Sequence, residues 1–241
     1  MEHLFKIKFG RMLVVLSYGI LYMIGFIYLE NRTADVYHVM ECRIDRMIPF
    51  HSIFIIPYLM WFPYQFILLG YFLLGGLDHK EFYRFMAYVC GGMTCFLLVS
   101  WLYPTALDLR PVLPADGSVF DGMVRWLYSI DTPTNVMPSL HVYNSIVFHI
   151  AFCRSLSQGQ ESPNGFKIRS FVFSEKGWKV LSLVTITFII LSTVMVKQHS
   201  VIDIVMGMVM AGAGYLQVYK MPVGEELVWK KNILQKIKAS L

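Results

Sequence analysis

Two histidines, an arginine and an aspartate stand in three short polar strings of an otherwise apolar sequence. One string, Lys197-Gln198-His199-Ser-Val-Ile-Asp203, contains His-x3-Asp. Residues i and i+4 share a helix face, so the Asp203 carboxylate can accept a proton from one ring nitrogen of His199. That fixes the tautomer and leaves the other nitrogen more nucleophilic. Alone, such a pair reads equally as a satisfied polar contact at a helix start. A second string, Asn135-Val-Met-Pro138-Ser139-Leu140-His141, is rarer. Pro138 suits a first helical turn, where its missing N–H costs nothing. The amides of Ser139, Leu140 and His141, with the Ser139 hydroxyl, would then face out of a helix N-terminus as an anion site. His141 in that turn can give a proton to a leaving oxygen. Arg110, in Arg110-Pro111, and Lys197 would supply fixed positive charge for the equatorial oxygens of a phosphate. By itself Arg110 reads as an interfacial anchor. The combined chemistry is phosphoryl transfer. No metal or other cofactor is expected, because no third close ligand accompanies the His and Asp residues and Arg110 would repel a cation.

These strings are far apart, so their meeting depends on the elements between them. The chain has 241 residues, of which 56% are hydrophobic and 15% charged, and its mean hydropathy is +0.53. A soluble domain carries roughly a quarter charged residues. The deficit excludes a disordered chain, a coiled coil and a polar, basic nucleic-acid-binding protein. Cys42, Cys90, Cys95 and Cys153 form no CxxC pair, so neither a disulfide scaffold nor a zinc ribbon is implied. An all-α polytopic membrane protein is expected. Six stretches are apolar enough to cross a bilayer, where the backbone must satisfy itself: residues 12–29, 47–77 (the span lying around 53–74), 85–107, 132–153, 180–196 and 204–219. The first resembles a signal peptide but lacks a small-residue cleavage site and is followed by five more spans, so it reads as retained.

With both termini cytoplasmic, 15 of the 21 Lys and Arg residues lie inside. Arg32, Arg43, Arg46, Arg110, Arg125 and Lys197 remain outside. The net charge of +5 is then mostly positive-inside bias. This topology brings all three polar strings to one depth on the outer face. Residues 1–221 form the six-helix domain and 222–241 a basic tail. In the tail Leu227, Ile233, Leu234, Ile237 and Leu241 make an apolar stripe beside Lys230, Lys231, Lys236 and Lys238. Such a helix either lies on the anionic inner leaflet or is a frayed terminus. Residues 155–165 read as a flexible inner loop. Trp61, Trp101, Tyr103, Trp126, Tyr128, Trp178 and Tyr219 read as interfacial aromatics. Gly207, Ala211 and Gly214 allow close packing of the last span.

The order Arg-Pro, Pro-Ser-x-His, His-x3-Asp resembles the type 2 phosphatidic acid phosphatase and haloperoxidase superfamily, over residues 103–207. The resemblance implies a six-helix membrane protein with its active site on the outer face. It implies that His199 is the nucleophile forming a phosphohistidine, Asp203 its orienting partner and His141 the acid for the leaving group. Arg110, Ser139 and Leu140 would hold the phosphate, with Lys197 nearby. Tyr103 stands where the family usually has a lysine, Thr193 where it has an arginine, and Leu140 where glycine is common. The Pro-Ser-Leu-His form, with Asp131 and Asn135 upstream, is similar to the inositol phosphorylceramide synthase branch and related bacterial membrane phosphatases. Tyr103, Asp131 and Asn135 are therefore candidates to support the site.

The function expected is metal-independent hydrolysis of a lipid phosphomonoester or diphosphate in the cell membrane, the partners being that lipid and the bilayer, with no nucleic acid. A lipid phosphotransferase, with an alcohol in place of water, would use the same residues. A transporter or non-catalytic scaffold would need polar residues lining a path across the membrane, and mid-span Asp, Glu, Lys and Arg are absent from the six stretches.

Overall fold

A computed structural model of the protein describes residues 2–158 and 174–220. The tail expected at 222–241 and most of the loop expected at 155–165 lie outside the described residues. The described residues are mostly helical. Their α-helices are α1 (Glu2–Asn31), α2 (Arg43–Met47), α3 (Ile55–Leu59), α4 (Trp61–Tyr71), α5 (His79–Leu102), α6 (Val119–Ile130), α7 (Leu140–Gln158), α8 (Glu175–Met195) and α9 (Val201–Tyr215). Among the described residues five segments are long and apolar enough to cross a membrane: Ile7–Asn31, Ser52–Gly76, His79–Leu102, Glu175–Met195 and Val201–Lys220. Their outward faces carry exposed Leu13, Leu16, Ile20, Leu21, Ile24, Phe66, Ile67, Val205 and Val209. So continuous an apolar belt belongs in a bilayer.

The helix ends depart from the hydropathy limits because caps set them. Asp78 accepts the Glu81 amide at 2.8 Å and starts α5 six residues before the apolar run expected at 85. Glu81, Arg84 and Arg154 make this possible. The Glu81 carboxylate receives Arg154 Nε at 2.7 Å and Arg84 Nη1 at 2.9 Å, so a buried charge in the first turn of α5 is paired. The second span runs through a 3-10 turn (Ser52–Phe54), α3, α4 and a π-helical turn (Phe72–Gly76) in which Gly75 takes φ 117°. Arg11 answers the break: it is buried and donates to the Phe72 carbonyl at 3.0 Å.

The stretch expected as a fourth span, 132–153, divides. Residues up to Ser139 form a loop, and α7 runs through the centre of the bundle against α4, α5, α8 and α9. Its Tyr143, Val147, Phe148, Ala151 and Phe152 are buried in one cluster with Phe72, Phe82, Phe85 and Tyr88. A Cβ on Gly92 would fall inside the Tyr143 ring, so glycine is required there. At one end of the bundle β1 (His38–Val39) pairs in parallel with β2 (Thr105–Ala106), and Thr134 bridges to Ala106. The amphipathic α6 covers α3 by burying Val124 and Leu127 with Ile55, Tyr58 and Val196.

Candidate active site

The three polar strings meet at the end of the bundle that carries this small sheet. The α8–α9 turn is tightly determined. The Thr193 carbonyl accepts the amides of both Gln198 and His199, at 2.9 and 3.1 Å. Lys197 takes a left-handed φ of 51°, which costs a non-glycine residue about 1–2 kcal/mol and needs surrounding contacts to hold it. Ser200 caps α9: its hydroxyl accepts from Ile202 N at 3.1 Å, while Asp203 Oδ2 accepts the Ser200 amide at 2.8 Å. Asp203 thus turns its carboxylate back over the helix N-terminus, where Oδ2 also lies 3.4 Å from His199 Nδ1. That contact is longer than a full hydrogen bond. The opposite ring nitrogen, His199 Nε2, is 3.3 Å from His141 Nδ1. The two imidazoles cross edge to face with centroids 5.4 Å apart.

His141 reaches this position from the start of α7. Ser139, fully buried, is the cap: its Oγ accepts the Val142 amide at 3.4 Å and its carbonyl the Tyr143 amide at 3.0 Å. Its own amide donates to the Asp203 carbonyl at 3.1 Å. This corrects the anion-site expectation for the Ser139 amide, which is engaged with Asp203, whereas the hydroxyl accepts from Val142 and keeps its own proton to donate. Pro138 precedes the cap instead of occupying the first turn. The amides of Leu140 and His141, in the first turn of α7, have no intrahelical acceptor. Asn135, also left-handed at φ 54°, anchors the preceding loop. Its amide donates to the Thr105 carbonyl at 2.7 Å, and its Nδ2 reaches Leu29 O at 3.3 Å and Glu30 Oε1 at 3.4 Å.

Arg110 joins the two strings. It donates to Asp131 O at 2.8 Å, Thr132 O at 3.3 Å and Gln198 Oε1 at 2.5 Å, and its guanidinium lies 4.5 Å from the Tyr128 ring centroid. The Asp131 carboxylate is 3.9 Å away. Burial pulls the guanidinium below its ordinary pKa, with Asp131, Tyr128, Tyr58 and Glu30 opposing. Lys197 is placed differently from the expected phosphate contact. Its ammonium is buried and donates to the carbonyls of Asp45 at 2.7 Å and Ile48 at 2.6 Å. Tyr103 lies at the exposed rim, stacked on His38 with centroids 3.9 Å apart. Thr193 is buried, its hydroxyl donating to Ile190 O. Neither of these positions brings a cation to the histidines.

Several neighbours escaped the sequence reading. Tyr58 and Trp61 pack on His141 with ring centroids 4.6 and 4.5 Å away. Trp61 and Tyr128, read as interfacial aromatics, instead serve the His141 and Arg110 surroundings. Gln198 and Asp45 gave no signal, since neither stands in a spacing that implies contact. Around the histidine pair Arg110 Nε, His141 Nε2, Gln198 Nε2, Asp203 Oδ1 and His199 Nδ1 are buried without a hydrogen-bond partner, Nδ1 having only the 3.4 Å approach to Asp203. A buried polar atom left so costs roughly 1–3 kcal/mol; the Arg110 and Gln198 N–H groups are donors that suit an anion's oxygens, whereas Asp203 Oδ1 is an acceptor. Among the described residues no group of three or more His, Cys, Asp and Glu side chains could hold a metal ion. Compared with known proteins, the chain matches no family model, no curated protein and no solved structure.

Proposed function

We propose that the protein is an integral membrane lipid phosphate phosphatase acting through a phosphohistidine on His199. The observation that carries this reading is the chain of contacts Asp203 Oδ2–His199 Nδ1, 3.4 Å, and His199 Nε2–His141 Nδ1, 3.3 Å, at the mouth of apolar helices. With Nδ1–H directed at Asp203, His199 keeps a lone pair on Nε2 for attack on phosphorus. A lipid phosphate reaches the site sideways from the bilayer, and its phosphoryl group parts the two rings. His199 Nε2 forms the N–P bond as the ester P–O bond breaks, and His141 gives its proton to the departing alkoxide. Water then loses a proton to His141, attacks phosphorus and breaks the N–P bond, releasing phosphate. Arg110, Gln198 Nε2 and the first amides of α7 would balance charge on the phosphoryl oxygens. For this chemistry positioning and charge supply most of the rate.

Counting α7 as a sixth crossing puts both termini on one side. Its 19 residues span about 28 Å. The positive-inside bias, 15 of 21 Lys and Arg, then makes that side cytoplasmic and the site external, in the cell membrane.

The test is phosphate release by purified protein from phosphatidate, phosphatidylglycerol phosphate, a prenyl diphosphate and a sphingolipid phosphate. Release that resists EDTA, yields to vanadate and vanishes in His199→Ala supports the reading. Undiminished release in that variant overturns it.

A further inference from the structure

We propose that Asp45, remote in sequence and carried on the short helix α2, is the positioning residue that holds the α8–α9 turn so that His199 faces His141. The inference rests on the reading of His199 as nucleophile. Asp45 is 1% exposed and meets the turn from three directions. Its Oδ1 accepts the Val201 amide at 2.7 Å, its Oδ2 the Ser200 hydroxyl at 2.7 Å, and its backbone carbonyl the Lys197 ammonium at 2.7 Å. The residues bound are those on either side of His199. The Cys42 amide, 2.6 Å from Oδ2, fixes the carboxylate from its own segment.

The physics of the turn calls for such a support. Lys197 is left-handed, a conformation that a lysine keeps only when its surroundings impose it. Its ammonium is imposed upon from two sides, by the carbonyls of Asp45 and Ile48. Ser200, at the start of α9, carries both carboxylates at once: Asp45 takes its hydroxyl proton and Asp203 its amide proton. Asp203 is held to the cap by that arrangement, and the cap fixes the height of its Oδ2 against His199 Nδ1. A negative carboxylate on the first amide of α9 also suits the positive end of the helix. The 42–48 segment therefore acts as a brace, and the imidazole it steadies is the one whose aim decides the chemistry.

The test uses the full chain in detergent, with Asp45→Asn. Asparagine keeps the volume but cannot accept from Val201, Ser200 and Cys42 together. The expected result is a fall in kcat of about 10-fold or more with KM for the lipid phosphate within about twofold, in a variant that melts lower than wild type but stays folded at the assay temperature. The second readout needs no turnover. In 15N-histidine spectra, with the signal assigned through its loss in His199→Gln, wild-type His199 should show the Nδ1–H tautomer and Asp45→Asn a mixture. A folded Asp45→Asn with wild-type kcat and tautomer overturns the proposal. If wild-type protein releases no phosphate from any lipid, the functional reading fails and the tautomer comparison alone decides the role of Asp45. Should Asp45→Asn not fold, Ser200→Ala removes one of its partners: a smaller shift of both readouts, about threefold in kcat, is expected, and wild-type values there overturn the proposal.

Discussion

The backbone amide of Ser139 donates to the backbone carbonyl of Asp203 at 3.1 Å, so the start of the helix carrying His141 is joined to the first turn of the helix that follows His199. This bond requires the helices to run close, and Gly207 permits it. A Cβ there would meet the Ser139 carbonyl oxygen at 2.8 Å and the Val142 Cβ at 3.0 Å. Both neighbours belong to the start of α7, and a backbone atom has little freedom to yield.

Gly207→Ala should accordingly push α9 off α7. Overpacking of this kind costs about 1–3 kcal/mol, and kcat should fall about 10-fold as the histidine pair is spread. Gly212→Ala is the control: nothing lies within 4 Å of its Cβ, and alanine favours a helix by about 0.5–1 kcal/mol. A thermal melt and an initial rate on each variant check this, and equal behaviour of the two would refute the close-approach argument.

Substitutions in the histidine chain should separate roles. His199→Ala should lose activity by about 100-fold or more and form no phosphohistidine. His141→Ala should lose about as much with a lipid alkoxide as leaving group. With a nitrophenyl phosphate, whose leaving group needs no proton, formation of the phosphohistidine should be largely spared. Rapid-quench measurement of the phosphoenzyme distinguishes the two, and equal losses on both substrates would remove the acid role from His141.

Arg110→Lys should be nearly as damaging as Arg110→Ala. The guanidinium donates to two carbonyls and to Gln198 while stacking on Tyr128, a fork that an ammonium cannot reproduce. A loss of about 10- to 100-fold in kcat/KM is expected for each. A fully active lysine variant would show that charge alone is needed.

The Asp45 carboxyl predicts a pH dependence of stability. Burial acts to raise its pKa, but hydrogen bonds from Val201, Ser200 and Cys42 outweigh burial and leave it below the ordinary carboxylate value. A group depressed on folding contributes stability that is fully present above its unfolded pKa. The contribution is lost as pH falls through the lower folded value. The melting difference between wild type and Asp45→Asn should thus stay constant from pH 8 to about 5 and shrink only in more acidic buffer. A difference that closes nearer neutrality would contradict the sign.

Val112, 99% exposed beside Arg110 and Pro111, offers a test of sidedness. In a background without the four native cysteines, Val112→Cys should react with an impermeant maleimide on intact cells. Labelling that requires permeabilised cells would place this end of the bundle in the cytoplasm.

The apolar runs and their flanking charges made the helices legible in the sequence, because a bilayer admits little else. The His-x3-Asp spacing likewise implied the contact now seen between His199 and Asp203, since helical periodicity converts spacing into distance. Helix limits were less legible: hydropathy stops at Phe85, whereas α5 continues through paired Glu81 and Arg84 to its Asp78 cap. Pairing of distant charges has no sequence signature.

What the sequence determined by itself is local: which segments prefer a membrane and which polar residues share one helix turn. Tertiary structure alone decided that Lys197 turns to Asp45 and Ile48, that Ser139 gives its amide to Asp203, and that Trp61 and Tyr58 wall in His141. The reason is physical. A side chain's type fixes what it can donate, accept or bury. Which of several competent partners it meets depends on chain segments up to 156 residues away that only packing brings into reach.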